Sequence, residues 1–491
     1  MCSKCKIFHF YEKLLLISKL FAGCFFSFCV FAQEKWTLQA CVEYALQRNI
    51  SIQLAEIDVQ QAENQLKQSY YEKMPDINGR ASHAYNWGRS IDPFTNQFLN
   101  RRIQSNNFSI SSTIALFNGF RLHYTIQQNR ANVQSSRYAL QKAKNELSLS
   151  IATLFLQIAL QEKQLQNLRN QKQITENQLI RTQSLVRSGS LPIVHETELR
   201  AQLAIDETNL VNAENNLELS LLELRQLLHI PFHDPFAIEL PTFPEPPEQL
   251  TIQTPKEIYE VAVREMPEIH SAEWQKKSAY ASVHISKAAF LPTLSFSAGL
   301  FTLYSSAQKQ KLTGFSTVTN REIIGYFFDS NQTPIPVFQD RAITLPILEP
   351  FTFFDQLDQS LRRSLSFDLT IPIFTRYRNR ANVVAAQLRA KQADLNEQQV
   401  RLQLQQKIER AYCDVKLAHK TYHSNRMRVE ATKQNFQMIT NRYEAGALPL
   451  VEWQNARINL LNAENQLLQA EFDFWFKMKI LDFYAGKSIV F

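Results

Sequence analysis

Two short strings decide how this chain folds: Ser188-Gly189-Ser190-Leu191-Pro192 and, 257 positions further on, Ala445-Gly446-Ala447-Leu448-Pro449. Each closes a stretch of almost 70 residues that holds no glycine and is rich in Gln, Ala, Leu, Glu and Lys. Such stretches are good helix formers. A Gly/Pro corner with a glycine-free stretch on either side predicts a helix, a tight turn and a returning helix. Because the corner occurs twice, the hairpin is expected twice.

Hydrophobic spacing extends the reading on both sides of each corner. Before the second corner the apolar seam runs Ile408, Ala411, Val415, Ala418, Tyr422, Val429, Phe436, Ile439, Tyr443; before the first it runs Ile151, Leu154, Ile158, Leu165, Leu168, Leu179, Val186. Steps of three and four are coiled-coil spacing. The helices expected over 119–188 and 376–445 would each be roughly 100 Å long at 1.5 Å per residue. After the corners, Leu203, Leu210, Leu217 and Leu224 superpose on Leu460, Leu467, Phe474 and Leu481 at the same offset of 257. The return helices are expected at about 192–229 and 449–484.

Upstream, Ala45 to Pro75 aligns with Ala262 to Pro292 at an offset of 217, and Ile114-Ala115-Leu116-Phe117 aligns with Ile371-Pro372-Ile373-Phe374 at 257. The second half therefore carries 40 extra residues between Pro292 and Ile371. The chain reads as a duplication, with repeats at 33–230 and 256–491 joined by a proline-rich linker at 231–255. Pro231, Pro235, Pro241, Pro244, Pro246, Pro247 and Pro255 make that linker extended.

Between the short leading helices and the long ones, the period drops to two. Strands are expected at about 77–88, 105–117, 293–304 and 364–374. Ile77, Ala81 and Tyr85 alternate with Asn78, Arg80 and Ser82; Leu365, Phe367 and Leu369 alternate with Ser366, Asp368 and Thr370. Segments of roughly ten residues with one apolar and one polar face suit a membrane barrel. Arg80 and Asp368 would face its lumen, and Tyr85, Trp87 and Tyr304 near strand ends would form an interfacial girdle. The extra residues, within about 305–364, include Phe315, Tyr326, Phe327, Phe328, Phe338 and Phe351. That aromatic content argues against a disordered loop and predicts an external cap or partner-binding loop.

Composition narrows the function. Ten glycines in 491 residues, against about 34 at average usage, leave too few tight turns for a nucleotide-binding α/β fold, a β-sandwich or a propeller. Of the net charge of +7, a surplus of three falls in the first 32 residues, and the rest forms no basic cluster. Nucleic acid is therefore not an expected partner. Lys4, Lys6, Lys13 and Lys19 precede the uncharged run Leu20 to Phe31, which ends at Ala32. This predicts a secretory signal cleaved after Ala32, although Phe21-Ala22-Gly23-Cys24 loosely resembles a lipobox. After Ala32 only Cys41 and Cys413 remain, so no disulfide framework is expected.

Four strands cannot close a membrane barrel, since the smallest have eight, and open edges in lipid are too costly. Several subunits must pool their strands. With a signal segment, two helix–strand–strand–long helix–helix repeats and two Gly-x-Leu-Pro corners, the chain resembles the TolC-type outer membrane efflux protein family over its whole mature length. The strings Ile371-Pro372-Ile373-Phe374 and Tyr443-Glu444-Ala445-Gly446-Ala447-Leu448 carry the likeness locally. The resemblance implies a mainly α protein with membrane β-strands. A homotrimer would form a twelve-stranded barrel in the outer membrane, with lipid around it, continued by a coiled-coil α-barrel in the periplasm. It implies the exit duct of a tripartite efflux or type I secretion system, docked to a periplasmic adaptor (membrane fusion protein) and an inner-membrane pump.

The corners would then be periplasmic tips: Gly189 and Gly446 as left-handed helix caps, Pro192 and Pro449 as restarts, Leu191 and Leu448 exposed for the adaptor. Matching residues just after the tips, Glu452 and Asn455 in the second repeat and His195 and Glu198 in the first, are candidates for a gate narrowing the tube. Family members often have Asp at the positions of His195 and Asn455. No catalytic set is visible: there is no phosphate loop and no CxxC, and His195-Glu196-Thr197-Glu198 lacks the second histidine of HExxH. No cofactor or metal is expected. His419 and His423 lie one helical turn apart and could share a metal, but two histidines on a soluble helix are usually just solvated. The competing reading, a soluble periplasmic coiled-coil adaptor or structural protein, would need one hairpin rather than two. The cargo, whether drug, metal ion or protein, is not written in the residues.

Overall fold

The computed structural model describes residues 36–92, 96–231, 236–241 and 243–487. The expected signal segment, its cleavage point after Ala32 and the stretch around Cys24 lie outside them. Two units can be distinguished: a helical one built from 36–59, 136–271 and 397–487, and a second built from 60–135 and 272–396.

The first repeat runs α1 (Leu38–Arg48), α2 (Ile50–Tyr71), β1 (Asp76–Asn86), β2 (Arg89–Ile91), β3 (Phe98–Asn100), β4 (Ile103–Asn118), α3 (Arg121–Arg187) and α4 (Ile193–Leu228). The second runs α5 (Pro255–Glu265), α6 (Pro267–Ala288), β5 (Thr293–Ser305), β6 (Gln310–Phe328), β7 (Pro334–Pro350), α7 (Phe353–Gln359), β8 (Arg362–Thr370), α8 (Arg378–Glu444) and α9 (Leu450–Tyr484). Duplication is visible in the lengths: α1 and α5 have 11 residues each, α2 and α6 have 22, α3 and α8 have 67. Thr37 caps α1 by accepting from Ala40 N–H, and Thr254 and Glu257 form a capping box on α5, which satisfies donors that a helix start leaves orphaned. The break between paired short helices falls at Asn49 in one repeat and at Met266-Pro267 in the other.

In the helical unit each repeat packs its short helix on its own hairpin. Cys41 and Ala45 of α1 join Ile151, Phe155 and Ile158 of α3 and Leu224 and Leu228 of α4. Ile258 and Ala262 of α5 join Leu404, Ile408 and Val415 of α8 and Phe474 and Leu481 of α9. Each buried Leu, Ile or Phe contributes about 1.5–3 kcal/mol, so the heptad seams account for most of the hold. Burial also pushes the Cys41 thiol up to about 12. Among the described residues no helix is long and apolar enough to cross a membrane.

In the other unit β1, β4, β5 and β8 form one antiparallel sheet in that order. β4 carries a bulge between Ala115 and Phe117. The strand expected over 364–374 ends at Thr370, because Pro372 has no N–H to give a ladder. Its partner string Ile114-Ala115-Leu116-Phe117 stays inside β4. Both repeats then enter their long helix through two successive left-handed residues, Gly119 and Phe120 in one, Arg376 and Tyr377 in the other.

The extra segment is not a loop. It is a long hairpin, β6 against β7, fastened at its base by α7. Gln356 of α7 accepts from Ser305 N–H and donates to Gln308 O, and Ser360 donates to Leu303 O. Phe315, Tyr326, Phe327, Phe328 and Phe338 are exposed along it, while Phe351 is buried at its base. Prolines at 334, 336, 346 and 350 remove N–H donors from β7, which blunts its free edge against further pairing.

Candidate functional site

The two corners close in the same way. At the first, Gly189 (φ 76°) donates to Val186 O and Ser190 donates to Leu185 O; at the second, Gly446 (φ 73°) donates to Tyr443 O and Ala447 donates to Arg442 O. These are paired Schellman closures, which use up carbonyls that the helix end leaves free. Pro192 and Pro449 stand at the N-cap positions of α4 and α9 in extended conformation.

The two tips pack together. Leu179 and Leu199 of the first hairpin share a cluster with Leu450 and Trp453 of the second, and Phe436, Ile439 and Tyr443 lie against it. Tyr443 stacks on Trp453 at 5.7 Å, Gln178 donates to the Tyr443 hydroxyl, and Arg181 pairs with Glu444 at 3.2 Å. Leu191 and Leu448 are half-buried rather than fully exposed. At the first corner the closure explains this: Leu191 N–H also reaches back to Leu185 O, folding the leucine over the last turn. The apolar groups that do stand out are Ile193 (69%), Val194 (57%) and Val451 (50%). A run of apolar residues directly after a proline restart is the signal by which the sequence marks them.

The four gate candidates divide. Glu452 and Asn455 are exposed on α9, whereas His195 and Glu198 are half-buried on α4. His195 Nδ1 and Glu198 Oε2 face each other at 3.6 Å, which is too long for a hydrogen bond. Two turns beyond the second tip lies a polar cluster that sequence reasoning missed. Arg457 of α9 donates to Thr175 Oγ1 of α3 at 2.8 Å and to Asp206 Oδ2 of α4 at 3.3 Å. Thr175 also donates to Asp206, Gln202 holds the other carboxylate oxygen at 2.9 Å, and the Gln171 amide, turned oxygen-first, accepts from Arg457 Nε. A signal existed: Arg457, Glu464 and Glu471 recur every seven residues on the seam beside Leu460, Leu467 and Phe474. Charges at seam positions fix register at a cost in stability.

The sheet has two chemically different faces. Arg80 pairs with Ser109, Ser109 with Phe301 and Phe301 with Arg362, which places them on one face. The same register adds Asn78, Ser82, Asn107, Ser111, Ser295, Ser297, Ser366 and Asp368. Arg80 and Asp368 therefore share a polar face. The opposite face carries Ile77, Ala81, Phe108, Ile110, Phe296, Leu300, Leu365, Phe367 and Leu369, most of them exposed or half-exposed. Tyr85 and Tyr304 lie on this apolar face toward one end of the sheet, and Trp87 follows β1 and is exposed. Tyr304 is partly covered by Phe353 of α7, at 5.1 Å. Among the described residues β1 and β8 are left as unpaired edges.

A duplicated chain with two long coiled-coil hairpins and a sheet that is apolar on one face and polar on the other defines an outer membrane channel class. The family model of the outer membrane efflux protein matches residues 41–228 and 258–474, one block in each repeat. The chain belongs to that family and to the outer membrane. Among curated proteins, the probable outer membrane lipoprotein SilC of Salmonella typhimurium is 22% identical over 438 residues, covering 86% of this chain and 80% of that one. Among solved structures, CusC superposes with a TM-score of 0.71 at 16% identity over 92% of both chains. VceC of Vibrio cholerae gives 0.70 at 15% over 92% of this chain and 97% of its own. The CmeC outer membrane channel of Campylobacter jejuni gives 0.70 at 16% over 91% and 85%. At such identities the likeness is one of fold. These neighbours are channels or outer membrane proteins, not enzymes.

Proposed function

We propose that the chain is the passive exit duct of a tripartite efflux or type I secretion system and works as a homotrimer. The observation that carries this is the sheet: four strands, one face apolar and open, one face polar, and two unpaired edges. Exposed Ile77, Leu365, Phe367 and Leu369 would be a liability in water and suit lipid. The open edges must be paired before the sheet enters a bilayer. Three copies joining β8 to the next β1 make twelve strands, with Arg80 and Asp368 lining the lumen.

The helical hairpins then continue the conduit, and the tips receive an adaptor through apolar contact, with Leu191 and Leu448 inside a patch led by Ile193, Val194 and Val451. Glu452 from three copies would form an acidic ring favouring cations, with Asn455, His195 and Glu198 beside it. The β6–β7 hairpin is the exterior element over the barrel mouth. The relatives' names supply the same reading: CmeC and SilC are outer membrane proteins, and CusC is described as forming a transmembrane channel.

The test is direct. Protein extracted from the outer membrane in detergent should have the mass of three chains and give conductance steps in a planar bilayer. Glu452→Ala should reduce the preference for cations. A monomer, or bilayers that stay silent, would refute the duct.

A further inference from the structure

Outside the tips and the sheet, one cluster of side chains has no part in the duct. His419 and His423 lie one turn apart on α8, and their Nε2 atoms face each other at 3.1 Å. Both also face the same backbone oxygen, Pro247 O in the linker, at 2.7 Å and 3.2 Å. Three donor atoms therefore meet at the corners of a small triangle. Among the described residues no three His, Cys, Asp or Glu side chains gather in this manner; here the third corner is a carbonyl.

We propose that His419, His423 and Pro247 O form a binding site for a divalent late first-row cation of the zinc, nickel or copper type, which clips the linker onto α8. Imidazole suits these ions. A triangle with those edges lets an ion sit just above its plane, about 2.0–2.2 Å from every corner, with water completing the shell.

Packing alone does not require the pair. In the first repeat the equivalent positions are Glu162 and Gln166, and that hairpin closes without them. The linker already has a separate hold, since Trp475 donates to Pro244 O at 3.0 Å and stacks on Phe243. A carbonyl oxygen can accept two N–H bonds, so convergence on Pro247 O alone would fit a hydrogen-bonded pin; what points to a chelate is that the two Nε2 atoms also face each other at 3.1 Å.

Untagged full-length protein in detergent should be titrated with Zn2+ by calorimetry. One ion per chain is expected. His419→Gln and His423→Gln should each weaken binding about tenfold or more, since each removes one of three ligands. Glutamine keeps an N–H for Pro247, so a hydrogen-bonded pin would survive that change and a metal clip would not. Absorption spectroscopy at the zinc edge should show two imidazole nitrogens, and Zn2+ should slow proteolysis of the linker in the wild type alone. Equal Zn2+ binding by the double glutamine variant, or no binding by the wild type at 100-fold excess, would overturn the site.

Discussion

Arg457 and Asp206 form an ion pair that joins the second repeat to the first, with side chains only 4% and 5% exposed. Burial holds the Arg457 guanidinium below its ordinary range, with the Asp206 charge acting against that. The pair holds because the neighbours share the cost of desolvation: Thr175, Gln202 and Gln171 supply hydrogen bonds, and Trp453 lies 5.2 Å from the guanidinium carbon. Removing one partner strands a buried charge, which costs about 3–5 kcal/mol. Asp206→Ala and Arg457→Ala should each lower the melting temperature steeply. Replacing both together, Asp206→Leu with Arg457→Met, should restore most of the loss. If the double variant melts where the sum of the single variants predicts, the two residues are not coupled.

The same pair marks how far the residues alone could be read. The duplication, the seams, the corners and the alternation of the strands are periodic, and a period is legible without coordinates. Partners across the repeats are not periodic. Arg200 and Arg457 are equivalent at the offset of 257, yet Arg200 is exposed and pairs with Glu196 four residues back, while Arg457 is buried against Asp206. Symmetry in sequence therefore conceals asymmetry in packing. Leu191 and Leu448 show the second limit: an apolar residue at a turn reads as exposed until the closure of that turn is known. The β6–β7 segment shows a third. Two register shifts, at Leu312/Gly314 and Ile323/Gly325, interrupt its alternation, so a regular hairpin read as a loop.

The glycines make separable predictions. Around Gly189 and Gly446 an added Cβ would meet nothing within 4 Å. Alanine there should cost only the left-handed backbone strain, about 1–2 kcal/mol. Gly119 has the same handedness, but its Cβ would lie 2.7 Å from Ala288 O and 2.9 Å from Leu291 Cβ. Gly119→Ala adds a clash against backbone and should cost about 2–5 kcal/mol. Thermal melts of the three variants should rank them in that order, with the tip variants close together. Equal losses at all three would mean that close approach at the strand-to-helix junction does not matter.

The two seam carboxylates of α9 set an acid dependence. Burial raises the Glu471 carboxyl, reinforced by the charge of Glu245, and burial likewise raises Glu464 against the opposing charge of Lys433. An acid raised in the folded state binds its proton more tightly there than in the unfolded chain. Its contribution therefore favours the fold increasingly as pH falls from above the folded value toward the ordinary value of 4.5. Above that window both charges cost stability. Glu464→Gln with Glu471→Gln should raise the melting temperature near pH 8. The gain over wild type should shrink steadily as pH falls toward 5. A gain that is constant with pH would show that charge is not the cause.

The tips give the prediction closest to function. Ile193, Val194 and Val451 stand out from a base that is itself well packed, by Leu199, Leu450 and Trp453. A rigid base with an exposed apolar crown is what an apolar adaptor contact needs, because little order is lost on binding. Ile193→Ser with Val451→Ser removes crown and not base, so the folded trimer should survive. Leu191→Asp with Leu448→Asp reaches into the half-buried part and should impair both docking and, to a smaller degree, stability. In cells lacking their own duct, the serine pair should reduce export by about tenfold while the amount of outer membrane trimer stays level; about tenfold corresponds to about 1.4 kcal/mol of lost contact. Full export by the serine pair, with the aspartate pair inactive, would move the docking site from Ile193 and Val451 to the leucines themselves. Full export by both would place the adaptor contact elsewhere on the hairpins.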